Sequence, residues 1–327
     1  MKRISMFFSV VLMCGIVLAA CAPQAPSQAT QPPPPPATEL PTVMIQVPTA
    51  APNPEASPTA AAASVQHQSM PAELPSDKGI FLGDQSSVSS LNKGRALVGD
   101  RFSLGQFERP YNANTMDTYF PFLDIVSANF YQDPTWVYTV ITLVGRDANN
   151  AFPAKYAVEV DLNLDGRGDL LVMVNNPSST DWSTDGVQVF KDANGDVGGH
   201  DVLKADSEGK GDGYETVVFD QGKGDDPDAA WARLSSSDPN RVELVFKTSL
   251  LNGRTKYMAG IWAGTDSLNP ALFDLNDHFT HEQAGEANPD IANFYPIKAL
   301  AELDNTCRQA IGFVATGKEP GICSQGQ

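Results

Sequence analysis

"KYAVEVDLNLDGRGDLLVMVN", residues 155–175, sets two strand-like runs on either side of a polar turn. Tyr156, Val158 and Val160 recur at every second position, the spacing that lines one face of a strand. From Leu170 to Val174 the apolar residues fill both faces, which suits a strand buried between two layers. Working outward, the same signature returns in residues 123–132, 135–145, 186–190, 214–220, 241–250 and 256–264. These runs are short, rich in Val, Ile, Thr and aromatic residues, and separated by Gly, Asn, Asp, Pro and Ser. About eight strands with almost no helical periodicity predict an all-β fold, an antiparallel β-sandwich. Two short helices are expected in a small C-terminal flap of helical and irregular structure. One lies in "FTHEQAG" (279–285), where Thr280 and Gln283 have capping-box spacing, and one in "PIKALAELDN" (296–305), with Pro296 in its first turn.

The chain opens "MKRISMFFSVVLMCGIVLAAC", with Lys2 and Arg3 before an apolar run that is short for a bilayer span and ends at a cysteine. "LAAC", Leu18 to Cys21, resembles the lipobox of bacterial lipoproteins. The resemblance implies that residues 1–20 are a lipoprotein signal peptide, that cleavage precedes Cys21, and that the Cys21 sulfur is acylated. The expected location is therefore the bacterial cell surface or outer membrane, reached by export and held by membrane lipid. Ala22 stands where inner-membrane lipoproteins often carry Asp.

Residues 21–75 read as a disordered tether. Between Ala22 and Pro75 there are 14 of the 25 prolines, three acidic residues and no Lys or Arg. Such a segment cannot bury enough apolar surface to offset its chain entropy. Residues 76–327 then form one domain, long enough for a sizeable core. The formal charge is −17, which repels nucleic-acid phosphate and favours cations. Of the four cysteines, Cys14 leaves with the signal and Cys21 is lipidated, so Cys307 and Cys323 remain as a pair. In an oxidising compartment they are expected to form a disulfide, worth roughly 3 kcal/mol in the loop-entropy picture.

Asp161, Asn163 and Asp165 occupy alternate positions of the polar turn, Gly166 permits a sharp bend, and the Arg167 carbonyl and the Asp169 carboxylate follow at alternate positions. A hard cation takes six to eight oxygens at about 2.3 to 2.6 Å, and a tightly wound loop aims every second residue inward. The stretch resembles the calcium loops of EF-hands, dockerins and above all integrin propeller blades, which implies a Ca²⁺ site between two strands. Val172 stands where an EF-hand has Glu, so the strand–loop–strand version applies and Asp169 is expected to be a direct ligand. A second candidate loop holds Asp192, Asn194, Asp196 and Asp201, with Val197 in place of the glycine. Residues 161–228 carry 16 acidic side chains against five Lys and Arg, which suggests a shared calcium-rich edge.

Catalytic signatures are sparse. "NDHFTHE" (276–282) lacks the His-Glu-x-x-His order, and no nucleophile elbow, phosphate loop or dinucleotide fingerprint is present. Trp136 and Trp262 lie in strand patterns, whereas Trp182 and Trp231 sit in what read as polar loops, where an indole face could stack on a sugar. The strand pattern from Asp124 to Gly264 resembles extracellular bacterial β-sandwiches of the DOMON and family-nine carbohydrate-binding kind. The expected function is a surface lipoprotein that binds an extracellular ligand, glycan or protein, without catalysis. The alternative is a secreted-type hydrolase acting on glycosides or, with calcium, on peptides. For the anchor, Cys21→Ser is expected to block processing or move the protein out of the detergent phase, and unchanged detergent partitioning would refute the anchor.

Overall fold

The computed structural model describes residues 66–76, 79–93, 99–198, 211–285 and 296–324. The expected signal peptide, Cys21 and the expected tether up to residue 65 lie outside the described residues. In chain order the strands are β1 (Ile80–Gly83), β2 (Glu108–Arg109), β3 (Ile125–Gln132), β4 (Trp136–Leu143), β5 (Lys155–Asp161), β6 (Leu170–Asn175) and β7 (Val187–Lys191). They continue with β8 (Thr216–Asp220), β9 (Lys223–Gly224), β10 (Ala230–Leu234), β11 (Arg241–Lys247), β12 (Tyr257–Gly264), β13 (Leu303–Asn305) and β14 (Gln309–Ile311). Two one-turn helices, α1 (Leu275–His278) and α2 (His281–Ala284), precede β13.

The strands form two antiparallel sheets among the described residues. Five strands order as β1-β3-β4-β11-β10, and nine as β2-β13-β12-β5-β6-β7-β8-β9, with β14 pairing the free end of β12. The fold is an all-β sandwich, as the strand pattern predicts. All eight expected strands are present; β1, β2, β9, β13 and β14 are additions too brief to show a period, and β10, as long as β7 and β8, is an addition the pattern does not predict.

Register explains the core. Val158 pairs with Val172 and Val160 with Leu170 across β5 and β6, while Ile141 pairs with Val242 across β4 and β11. Their side chains, with Phe246, Ile261 and Tyr257, meet between the sheets in one apolar cluster. The other face of the larger sheet is apolar too. Ala157, Leu171, Met173 and Trp262 pack under Phe102, Phe107, Leu268, Phe273, Leu275 and Leu300, which belong to connecting segments and the C-terminal flap. The unbroken apolar run of β6 thus reflects burial on both sides.

The flap differs from expectation in one helix. α2 forms with the full capping box, Thr280 accepting from the Gln283 N–H and Gln283 reaching back. Residues 296–302 are not helical, because their backbone groups are taken by distant partners. Lys298 N donates to Ala284 O, Ala299 N to Gln283 O at 2.9 Å and Glu302 N to Tyr111 O at 3.0 Å. Leu303 and Asp304 then enter the sheet beside β12. Arg109, with no exposed surface, bolts this layer down: it pairs with Asp100 at 2.6 Å and donates to the carbonyls of Ala284, Gly285 and Leu300.

The end of the expected tether is also structured. On the outer face of the smaller sheet, Trp136, Tyr138, Trp231 and Val245 cluster with Leu74 against them. Asp228 accepts from the N–H groups of Gln68 and Ser69 at 2.7 and 2.8 Å and contacts His67 Nδ1 at 2.7 Å. Arg233 pairs with Glu73 and Glu243. Average composition over a long proline-rich stretch hides these few anchoring residues. As a check on the core, Ile261→Ala, at a fully buried site facing the other sheet, is expected to cost about 2 to 5 kcal/mol, read as a lower urea midpoint at unchanged slope.

Candidate metal centre

The 161–169 loop joins β5 to β6 and is wound around its own amides. The buried Asp161 accepts from Leu164 N (2.6 Å) and Asn163 N (3.2 Å) on one carboxylate oxygen and from Gly166 N (2.8 Å) on the other. Asn163 Oδ1 accepts from Asp165 N and Asp165 Oδ1 from Arg167 N, both at 2.9 Å. Asp169 closes the loop by accepting from Leu162 N at 2.6 Å. Gly166 has φ of +89°, and a Cβ there would run into the Pro320 side chain, so glycine is required by both conformation and close approach.

The C-terminal disulfide packs against this loop. Cys307 and Cys323 are joined as expected. Arg308, next to Cys307, donates to the Gly166 carbonyl at 2.7 Å and pairs with Glu159 and Asp274. Asp161 is pushed up to about 6, chiefly by burial, with its backbone bonds and the Arg308 charge acting the other way. Burial raises Asp169 as well.

The second loop repeats the wiring. Asp192 accepts from Gly195 N at 2.7 Å and from Val197 N at 3.0 Å, and Asn194 Oδ1 accepts from Asp196 N at 3.0 Å. Position four has positive φ in both loops, Leu164 at 67° and Gly195 at 76°. The loops lie side by side: Arg167 Nη1 donates to the Val197 carbonyl at 2.7 Å, and Asp192 N to the Asp169 carbonyl. Asp212 and Glu215 join the second loop, bonded to Asn194 and to the Ala193 N–H. Asp201 lies outside the described residues.

Both loops offer oxygen donors throughout, the chemistry of a hard cation. Their carboxylates are nevertheless not the most tightly gathered. Among the described residues, the three acids that bring one oxygen each within 4.8 Å of one another are Asp84, Glu108 and Asp304. Asp161, Asp165 and Asp169 do not form such a group. No local spacing announces the Asp84 group, because its members come from three separate segments.

Trp182 lies in a loop as expected, but Trp231 does not. Trp231 lies in strand β10, not in a loop, and is 2% exposed with its ring 4.5 Å from that of His67. Trp182 is half-buried, carries the Arg233 guanidinium over its ring at 4.3 Å and donates to the Ala72 carbonyl. Burial thus removes Trp231 as a stacking surface, and Arg233 covers one face of Trp182. Comparison of the chain with family models, with curated proteins and with solved structures found no match.

The Asp161 shift makes a signed prediction for chelated protein. A carboxyl raised by burial adds stability below the ordinary carboxylate range near 4 that is lost as pH rises through about 6. Asp161→Asn is therefore expected to gain on wild type by an amount of order 2 kcal/mol between pH 4 and pH 7. Parallel melting-temperature profiles for the two proteins would contradict it.

Proposed function

We propose that this chain is an exported, lipid-anchored protein whose β-sandwich, stiffened by Ca²⁺ at the paired acidic loops, binds a glycan outside the cell without catalysis. The address is supported by the "LAAC" stretch and the proline-rich segment behind it. The calcium reading is supported by the shared winding of the 161–169 and 192–197 loops and by their side-by-side placement. Among the described residues no helix is long and apolar enough to cross a membrane.

The observation that carries the ligand reading is a cleft of about 320 Å³ lined by Asp84, Gln85, Arg101, Gln106 and Asn305. That volume lies in the range of small-ligand sites. Its amide groups donate and accept hydrogen bonds, its guanidinium donates and its carboxylate accepts, as a hydroxyl-rich ligand requires. With Trp231 buried and one face of Trp182 covered by Arg233, polar contacts in this cleft take over the role expected of aromatic stacking.

A glycan array probed with and without Ca²⁺ tests the reading. Binding to a defined set of glycans is expected, weaker after chelation, and Gln106→Ala should cost about 1 kcal/mol of affinity, roughly fivefold. An array without hits would overturn the glycan assignment. Release of reducing sugar or peptide from substrate panels would favour the hydrolase reading instead.

A further inference from the structure

We propose that Asp84, Glu108, Asp124 and Asp304 form a second kind of cation site, separate from the acidic loops, that binds Ca²⁺ and fastens the edges of the two sheets together. Asp84 follows β1 in the smaller sheet and Asp124 immediately precedes β3. Glu108 and Asp304 stand directly opposite one another in the β2–β13 pair of the larger sheet. Like charges in that register repel, and neither can turn to bulk water. Glu108 is 2% exposed, and Asp124 and Asp304 have no exposed surface.

Among the described residues, three carboxylate oxygens in this group have no hydrogen-bond partner: Asp84 Oδ2, Asp124 Oδ1 and Asp304 Oδ1. The opposite oxygens are firmly held. Asp304 Oδ2 accepts from Ile125 N at 2.6 Å, and Asp124 Oδ2 accepts from Ser87 N at 3.0 Å and from the Tyr119 hydroxyl at 2.7 Å. Ser87 Oγ donates to Glu108. Glu108, Asp124 and Asp304 are thus oriented by backbone or hydroxyl donors, while the orphan oxygens have no donor among the described residues. A buried orphan acceptor costs roughly 1 to 3 kcal/mol, more when charged. Among the described residues no Lys, Arg or His pairs with these four acids; Arg109, next to Glu108 in sequence, is spent on Asp100.

Distance and donor type select the occupant. One oxygen each from Asp84, Glu108 and Asp304 lies within 4.8 Å of the others. Oxygens bound to one Ca²⁺ at 2.3 to 2.6 Å are at most about 5 Å apart, so the three fit a single coordination shell. The set contains no nitrogen or sulfur, which disfavours zinc and copper. Mg²⁺ keeps several waters in a small octahedron, whereas these side chains are largely dry, which favours Ca²⁺. Burial raises all four, Asp124 to about 6 and the others well above the usual carboxylate range, and for Asp84, Glu108 and Asp304 the charges of neighbouring acids add to it. A divalent ion removes that repulsion, and the donors from Ser87, Ile125 and Tyr119 spread the remaining charge. Asp84 also lines the 320 Å³ cleft, which provides a route for the ion from solvent.

The test uses the full-length protein in detergent, with the loops disabled by Asp165→Ala and Asp196→Ala, so that failure here and failure of the loop sites are separable. After chelation and reloading with CaCl₂, elemental analysis is expected to find about one calcium per chain in this background, and none once Asp84→Asn or Glu108→Gln is added. Because each isosteric amide also removes a repelling charge, both variants should melt higher than the background without calcium and lose the calcium-induced rise in melting temperature. Absence of bound calcium in the loop-disabled background would overturn the proposal. So would calcium retained at one per chain in both amide variants. Calcium lost only through the loop substitutions would assign all binding to the loops.

Discussion

The larger sheet is apolar on both faces, and most of the architecture answers that constraint. Val158, Val160, Val172 and Ile261 face the smaller sheet, while Ala157, Leu171, Met173 and Trp262 face the other way. A sheet with two dry faces needs two covers. One is the second sheet; the other is assembled from residues 102–107, 268–285 and 297–303, which have little regular structure of their own. Those segments bring backbone N–H and C=O groups under cover, and each needs a partner. Hence Arg109, fully buried, spends its donors on Asp100 and three carbonyls of the covering layer.

Arg308 plays the corresponding part at the other end of β5. It joins Glu159 and Asp274 to the Gly166 carbonyl, and so ties the covering layer to the acidic loop. The Cys307–Cys323 bridge sits beside it and holds the chain that carries Pro320 against Gly166. Loop winding, disulfide and buried guanidinium are therefore one mechanical unit. A covering layer fastened by charge also concentrates carboxylates in dry surroundings, where they have strong reason to recruit a cation.

The smaller sheet solves its exposed face by a cheaper route. Trp136, Tyr138 and Trp231 are covered by the chain just before β1, held through Asp228 and Arg233. Covering that face removes Trp231 from solvent and draws Arg233 onto Trp182. The aromatic residues that look available in sequence are thereby enlisted in packing, which is why the proposed ligand site falls in the polar cleft at Gln85 and Gln106.

What the sequence determined by itself is whatever is encoded by near neighbours. Strand-like composition and patterning mark the eight expected strands, the double-sided apolar run of β6 announces burial between layers, and Thr280 with Gln283 marks the capped helix α2. Cysteine count names the disulfide, and the spacing of Asp161, Asn163 and Asp165 marks a wound acidic turn. Tertiary structure decided the rest. Residues 296–302 forgo a helix because Gln283, Ala284 and Tyr111, far away in sequence, offer their carbonyls. Trp231 passes from a loop to a buried strand because β11 pairs with it. Asp84, Glu108, Asp124 and Asp304 become neighbours only when β1 joins β3 and β2 joins β13, since strand pairing is a long-range interaction that no local spacing records.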